Sequence, residues 1–251
     1  MSENYSYDSI GAANASSSAL QAGFVNRVFG WMTGGLALTG AMAWAVYNIE
    51  PLYKLVLGTP GVFTVLIILE LVVVIAMSAA VNKLSSAGAA ACFIGFALLN
   101  GLTLSSIFVA YEMSSIAATF FVTSGTFGGA GLFGYLTRRD LSGAGGIAFM
   151  ALWGLILASI VNIFWYHTLV DRLICYAGVA IFVVLTAWDI QKIKRISFAV
   201  ADGSIEEEAG RKYAVYGALS LYLDFVNLFL MFLRLFGGRR GREEETACFR
   251  D

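Results

Sequence analysis

An aspartate stands in the middle of an otherwise apolar stretch, Gly217 to Gly237, reading GALSLYLDFVNLFLMFLRLFG. Tyr213, Gly217, Ser220, Asp224, Asn227, Met231 and Arg234 follow one another in steps of four and three, which is one face of an α-helix. Every non-apolar side chain from Gly217 to Arg234 except Tyr222 lies on that stripe. Leu, Phe, Val and Met fill the other faces, so the helix belongs inside something and its stripe faces a partner or a wet cavity. An ionised carboxylate in hydrocarbon costs at least roughly 2.5–3.5 kcal/mol. Asp224 is therefore matched by a partner, protonated or hydrated.

The other ionisable residues inside apolar segments are Glu70, Asp189 and Arg234, with Asn100, Thr103, Asn162 and Asn227 as neutral polar groups at depth. Such groups handle ions or protons, or they hydrogen-bond a neighbouring helix for about 1 kcal/mol. Glu70 lies mid-segment and faces the interior, in an ion path or in a structural network. Asp189 precedes Lys192 by three residues, so an interfacial i,i+3 ion pair competes with a functional role. Arg234 suits a snorkelling anchor. His167 is the only histidine and falls in a loop, WYHTLVDR, where solvation is the ordinary outcome.

These residues exclude two enzyme classes and leave a third, an aspartyl intramembrane protease, open as the rival. A retinal pump needs a lysine in its last span, and Gly217 to Gly237 has none. A serine–histidine intramembrane protease needs a histidine at depth. An aspartyl intramembrane protease would use Asp189 and Asp224 on consecutive helices, but its glycine-x-glycine-aspartate signature is missing, since the aspartates sit in TAWD and LYLD. The expectation is a protein that is not an enzyme and carries no cofactor. Cys92, Cys175 and Cys248 have no metal-ligand spacing.

The elements that position these groups must be membrane helices. Of the 251 residues 59% are hydrophobic and only 13% charged, where a soluble domain carries about 25%. Mean hydropathy is +0.76. No basic stripe with interleaved aromatics suggests nucleic acid. Residues 1–23 read as a disordered polar leader, 24–238 as an all-α domain of seven transmembrane helices, and 239–251 as a charged tail. The spans are expected at about 27–47, 61–81, 88–110, 115–136, 144–166, 173–190 and 214–236, with Gln191 to Lys212 as a loop at a water interface. Gly30 with Gly34, Gly125 with Gly129, and Ala130 with Gly134 have the spacing for close helix approach.

Basic residues set orientation. Lys83, Arg138, Arg139, Lys192, Lys194, Arg195, Arg211 and Lys212 fall in the even-numbered loops, and only Lys54 and Arg172 in the odd ones. Eight against two places the N-terminus in the cytoplasm and, with seven spans, the tail outside. Arg239, Arg240 and Arg242 oppose this, and a last segment that does not cross would put the tail inside.

LTAWDIQKIK (185–194), ALSLYLDFVNLFLMFLRLFG (218–237) and VNRVFGWMTGGLALTGA (25–41) resemble motifs of the Bax inhibitor-1 family, over about residues 24 to 238. The resemblance implies a bacterial-type member with six helices around a central last one, in the inner membrane. It implies a pH-sensitive calcium leak channel in which Asp189 and Asp224 match a proton-sensing aspartate pair. Bacterial relatives latch that pair with a second-helix arginine. This chain has Asn82 and Lys83 there, and a lysine cannot make the bidentate contact. In animals and plants the family is tied to restraint of cell death, and some bacterial members resemble regulators of membrane proteases.

Calcium ions and protons are thus the expected partners beside the lipid bilayer, with a membrane-protein partner as a further one. Asp189 and Asp224 are candidate calcium ligands. Glu70, Asn100, Asn227 and Lys83 are candidate ion-path or latch residues. A proton-coupled transporter and a non-conducting regulator of a protease or death effector are the alternatives. Depth speaks against a simple pair. With a helix end near Lys192, Asp189 lies about 5 Å from it, whereas Asp224 lies about 15 Å beyond Tyr213.

Overall fold

The computed structural model describes residues 3–81 and 83–240, with side chains from Ser17 onward. Asn82, Arg242 and Cys248 therefore lie outside the described residues. The described chain is helical. The elements are α1 (Glu3–Asn48), α2 (Glu50–Val56), α3 (Val62–Ala79), α4 (Ser86–Leu104), α5 (Ser106–Ala110), α6 (Met113–Leu136), α7 (Ser142–Phe164), α8 (Thr168–Ala201) and α9 (Glu207–Phe236).

Six stretches are long and apolar enough to cross a membrane: α3, α4 with α5, α6, α7, α8 and α9. The expected first span, 27–47, is the second half of α1, where Thr33, Thr39 and several glycines dilute the apolar character. The first half of α1 covers most of the stretch for which a disordered leader is expected. Its alanines favour helix, and no proline interrupts it.

The largest departure is Gln191 to Lys212. It is not a loop. α8 continues to Ala201 and α9 begins at Glu207. The charged residues on it occupy the outward faces of helices whose other faces stay buried through Ile193, Ser197, Gly210 and Ala214. Charge patterning marks a solvated face as readily as a loop. Gly203, at φ +79°, ends α8 in the left-handed conformation, and the Ile205 N–H donates back to the Ala199 carbonyl at 3.0 Å. The connection is only five residues, Asp202 to Glu206, so α8 and α9 are forced into an antiparallel pair.

α9 is the most enclosed span, with 56% of its apolar window buried against 6% for α3. It packs on α1, α4, α6 and α8. α3 packs chiefly on α4, and α7 on α8, so the outer pair stands further from α9 than an even ring of six would place it. α9 runs the length of the bundle. Glu208 near its start accepts from the Ser86 N–H at 3.0 Å. Beyond its end, Arg240 donates to the Tyr47 hydroxyl at 2.7 Å and to the Phe108 carbonyl at 2.9 Å. The last helix therefore ends beside the C-terminal ends of α1 and α5.

Of the three small-residue pairs that the spacing suggests, one makes a close approach. A Cβ on Gly134 would lie 2.2 Å from the Ala187 carbonyl oxygen, so α6 touches α8 backbone to backbone there. Gly101 meets α1 at Met42 and the Thr39 carbonyl in the same way. Gly30, Gly34, Gly125 and Gly129 face open space. The Ala130–Gly134 pair thus lies at a contact, and the other two pairs do not. Spacing identifies a smooth face, but only packing decides which smooth face is used.

Candidate functional site

The extension of α8 and α9 settles the depth mismatch. Asp189 stands 12 residues before Ala201, or about 18 Å along the axis, since 201 − 189 = 12. Ser220 stands 13 residues after Glu207, since 220 − 207 = 13, or about 20 Å. The two are level and line the same cleft. Asp224 lies one turn further along α9.

Asp224 is 6% exposed, and its Oδ2 has no hydrogen-bond partner among the described residues. Asp189 is half-buried and lines a cleft of about 330 Å³ with Lys192, Ser220, Tyr213, Tyr216 and Ser78. Asp224 is not among the residues lining that cleft; its carboxylate is near enough to feel the Asp189 charge, and no hydrogen bond joins the two among the described residues. The Tyr216 hydroxyl donates to the Met77 carbonyl at 2.9 Å and ties α9 to the end of α3 beside the cleft.

The cation of this site is Lys192, which interacts electrostatically with both Asp189 and Asp224. Its ammonium lies over the Trp188 ring, 5.3 Å from the centroid. The expected Asp189–Lys192 ion pair is not closed among the described residues, and Lys192 acts on the two carboxylates through space only. Lys83 is exposed on the α3–α4 connection, outside the cleft lining, and makes no ion pair among the described residues.

A second polar cluster occupies the opposite side of α9. Glu70 on α3 accepts from the Thr103 hydroxyl at 2.6 Å and the Asn100 amide at 3.3 Å. The Tyr222 hydroxyl donates to Asn100 Oδ1 at 3.0 Å and lies 2.7 Å from Thr39 Oγ1, which in turn donates to the Ala97 carbonyl at 2.9 Å. Two hydroxyl protons serve three contacts at Thr39 and Tyr222, so one of the two groups has alternative acceptors. Tyr222 is fully buried. It is the one polar residue off the Asp224 stripe, and that was the available signal for this cluster. Nothing in the sequence marks Thr39.

Glu70→Ala is expected to destabilise the protein by about 1–3 kcal/mol, because it leaves the buried Asn100 amide without its acceptor while Tyr222 holds Asn100 in place. A thermal melt of purified protein in detergent reads this. An unchanged melt with an altered ion flux would move Glu70 from the network to an ion path.

Other expected residues have local partners. The Asn227 amide donates to its own helix at the Leu223 carbonyl, 2.8 Å, and its side chain borders an apolar cleft with Met231 and Leu155. Asn162 accepts from the His167 N–H at 3.1 Å and so fixes the α7–α8 turn, leaving His167 exposed. Arg234 is no free anchor, since it forms an ion pair with Asp171 of the first turn of α8. An acid in a helix's first turn is a recognisable signal, but its partner 63 residues away is not.

Residues 21–241 match the family model described as "Inhibitor of apoptosis-promoting Bax1". The chain is 47% identical over 218 residues to inner membrane protein YbhL of Escherichia coli, covering 86% of this chain and 92% of that protein. It is 40% identical over 217 residues to a protein of Borreliella burgdorferi, covering 86% and 92%. A Deinococcus radiodurans protein is 34% identical over 216 residues, covering 86% and 90%. The match spans every helix that builds the aspartate cleft and the Glu70 cluster, and with relatives covered almost end to end the chain belongs to the Bax inhibitor-1 family of membrane proteins.

Proposed function

We propose that this protein is a pH-sensitive calcium leak channel of the bacterial inner membrane, gated by one proton shared between Asp189 and Asp224. The observation that carries the reading is the unpaired Oδ2 of Asp224, buried beside a second carboxylate. Two carboxylates in contact do not both ionise cheaply, so one proton held between them is the natural resting arrangement. In that state α9 is drawn to α8. Loss of the proton leaves two like charges, which loosen the contact and expose hard oxygen ligands suited to Ca²⁺. Lys192 takes the place of a latch, as a point charge that offsets the single negative charge of the half-protonated pair. The mechanism involves no catalytic bond-making and no bound cofactor.

The topology in this reading has seven crossings, with the second half of α1 as the first. It is supported by the position of Tyr47 at the same end as Arg240. The N-terminus is cytoplasmic by the basic-residue bias, and the tail is outside. The inner membrane is proposed from the name of the Escherichia coli relative. A non-conducting regulator of a membrane-protein partner is the second reading, favoured by the family model's own description.

Purified protein in vesicles loaded with a calcium dye separates these readings. Calcium should run down its gradient faster at pH 8 than at pH 5, with or without a proton gradient. Flux that requires a proton gradient would make it a coupled transporter. An absence of flux at every pH would overturn the channel and leave the regulator.

A further inference from the structure

A basic cleft of about 370 Å³ lies between the α6–α7 connection and the extended end of α8. Arg138, Arg139, Lys194 and Arg195 line it, with Asp140 as the one acid. Its floor is preformed. Gln191 is 7% exposed, and its side chain donates to the Arg139 carbonyl at 2.8 Å and accepts from the Leu141 N–H at 2.9 Å. A buried amide therefore pins the connection to α8. Two of the four cations are already committed. Arg195 pairs with Asp140 and donates to Ser142 and Gln191. Ser142, through its N–H and its hydroxyl, and then Arg195 hold the Asp140 carboxyl below the ordinary carboxylate range, so Asp140 stays an anion for Arg195. Lys194 donates to the Tyr135 carbonyl at 2.7 Å. The guanidinium groups of Arg138 and Arg139 have no partner among the described residues.

We propose that this cleft binds the phosphate headgroup of an anionic phospholipid. Four positive side chains against one negative leave an excess charge of three, which an anion offsets. Arg138 and Arg139 offer the paired donors that a phosphate takes bidentately. The lipid source follows from the wall of the cleft. Phe198 lines it at 48% exposure, and Leu136 at the end of α6 is 64% exposed. These apolar surfaces suit the start of an acyl chain, and a dissolved anion would not use them. Basic pockets between spanning helices on the cytoplasmic side take such headgroups, at about 1 kcal/mol per basic residue. The inference does not rest on the calcium reading, and its test involves no ion flux.

Titrate full-length protein in neutral detergent with phosphatidylglycerol and with phosphatidylcholine, counting bound lipid by native mass spectrometry. Phosphatidylglycerol should bind more tightly and should raise the thermal midpoint. Arg138→Gln with Arg139→Gln should weaken it on the order of 20-fold, from two lost basic contacts. Arg138→Lys with Arg139→Lys, which keeps the charge and loses the bidentate geometry, should fall between. Arg172→Gln with Arg239→Gln, at the other end of the bundle, should leave affinity unchanged. Equal binding of phosphatidylcholine, or equal loss in the Arg172/Arg239 control, would overturn the site. Displacement of phosphatidylglycerol by equimolar inorganic phosphate would make it a site for free anions and refute the lipid.

Discussion

Asp224→Asn should abolish most of the pH dependence of calcium efflux while leaving a folded protein. The amide has the shape of the carboxyl and can still donate to Asp189, but it carries no titratable proton and no charge to repel. Efflux from wild-type vesicles should rise from about pH 5 to pH 8, a range that brackets a carboxylate sharing its proton with a twin. The sign follows from the pair: acid keeps the shared proton and the α8–α9 contact, and base removes both. Asp189→Asn should flatten the curve equally. The double variant should resemble either single one, since the two residues act as a unit and their effects do not add. Lys192→Gln should retain a pH response and change its midpoint only. An Asp224→Asn protein with the full wild-type pH response would refute the gate, whatever its absolute flux.

The next largest effect is expected from a residue that touches no ion. Gly134→Ala puts a methyl 2.2 Å from the Ala187 carbonyl oxygen and 2.8 Å from its Cα. Both obstacles are backbone, so neither can rotate away, and α6 and α8 must part. Overpacking of this kind costs about 1–3 kcal/mol or more. Gly129→Ala, one turn or so away on the same helix, meets nothing within 4 Å and gains helix propensity worth up to about 1 kcal/mol. Thermal melts of the two variants in one detergent compare them directly. Equal midpoints would mean that α6 and α8 are not held in this contact. Ala187 lies two residues before Asp189, so the same contact also fixes the height and rotation of the sensor helix.

Helix type, approximate spans and the burial of Asp224 were legible because they follow from composition and from a period of 3.6 residues, which are properties of the chain alone. The pairing of Asp189 with Asp224 is implied by the family motifs alone, since no local pattern contains it. The sequence does not show where α8 and α9 end, because a run such as QKIKR carries the same charges on a loop and on the wet face of a helix. Only the buried partners Ile193, Ser197 and Ala214 distinguish the two.

The sequence by itself determined that this is a bundle of apolar helices with a carboxylate enclosed in its last member, because hydrocarbon leaves a chain no other way to satisfy its backbone. Tertiary structure alone decided which groups meet. It placed Ser220 level with Asp189, supplied Lys192 rather than Lys83 as the cation, turned Tyr222 to Thr39 and Asn100, and chose Gly134 over Gly129 for the close contact. Each of those choices depends on rotation and register between helices far apart in the chain. A one-residue change in register turns a helix face by about 100°, and no local spacing records which face its neighbour will take.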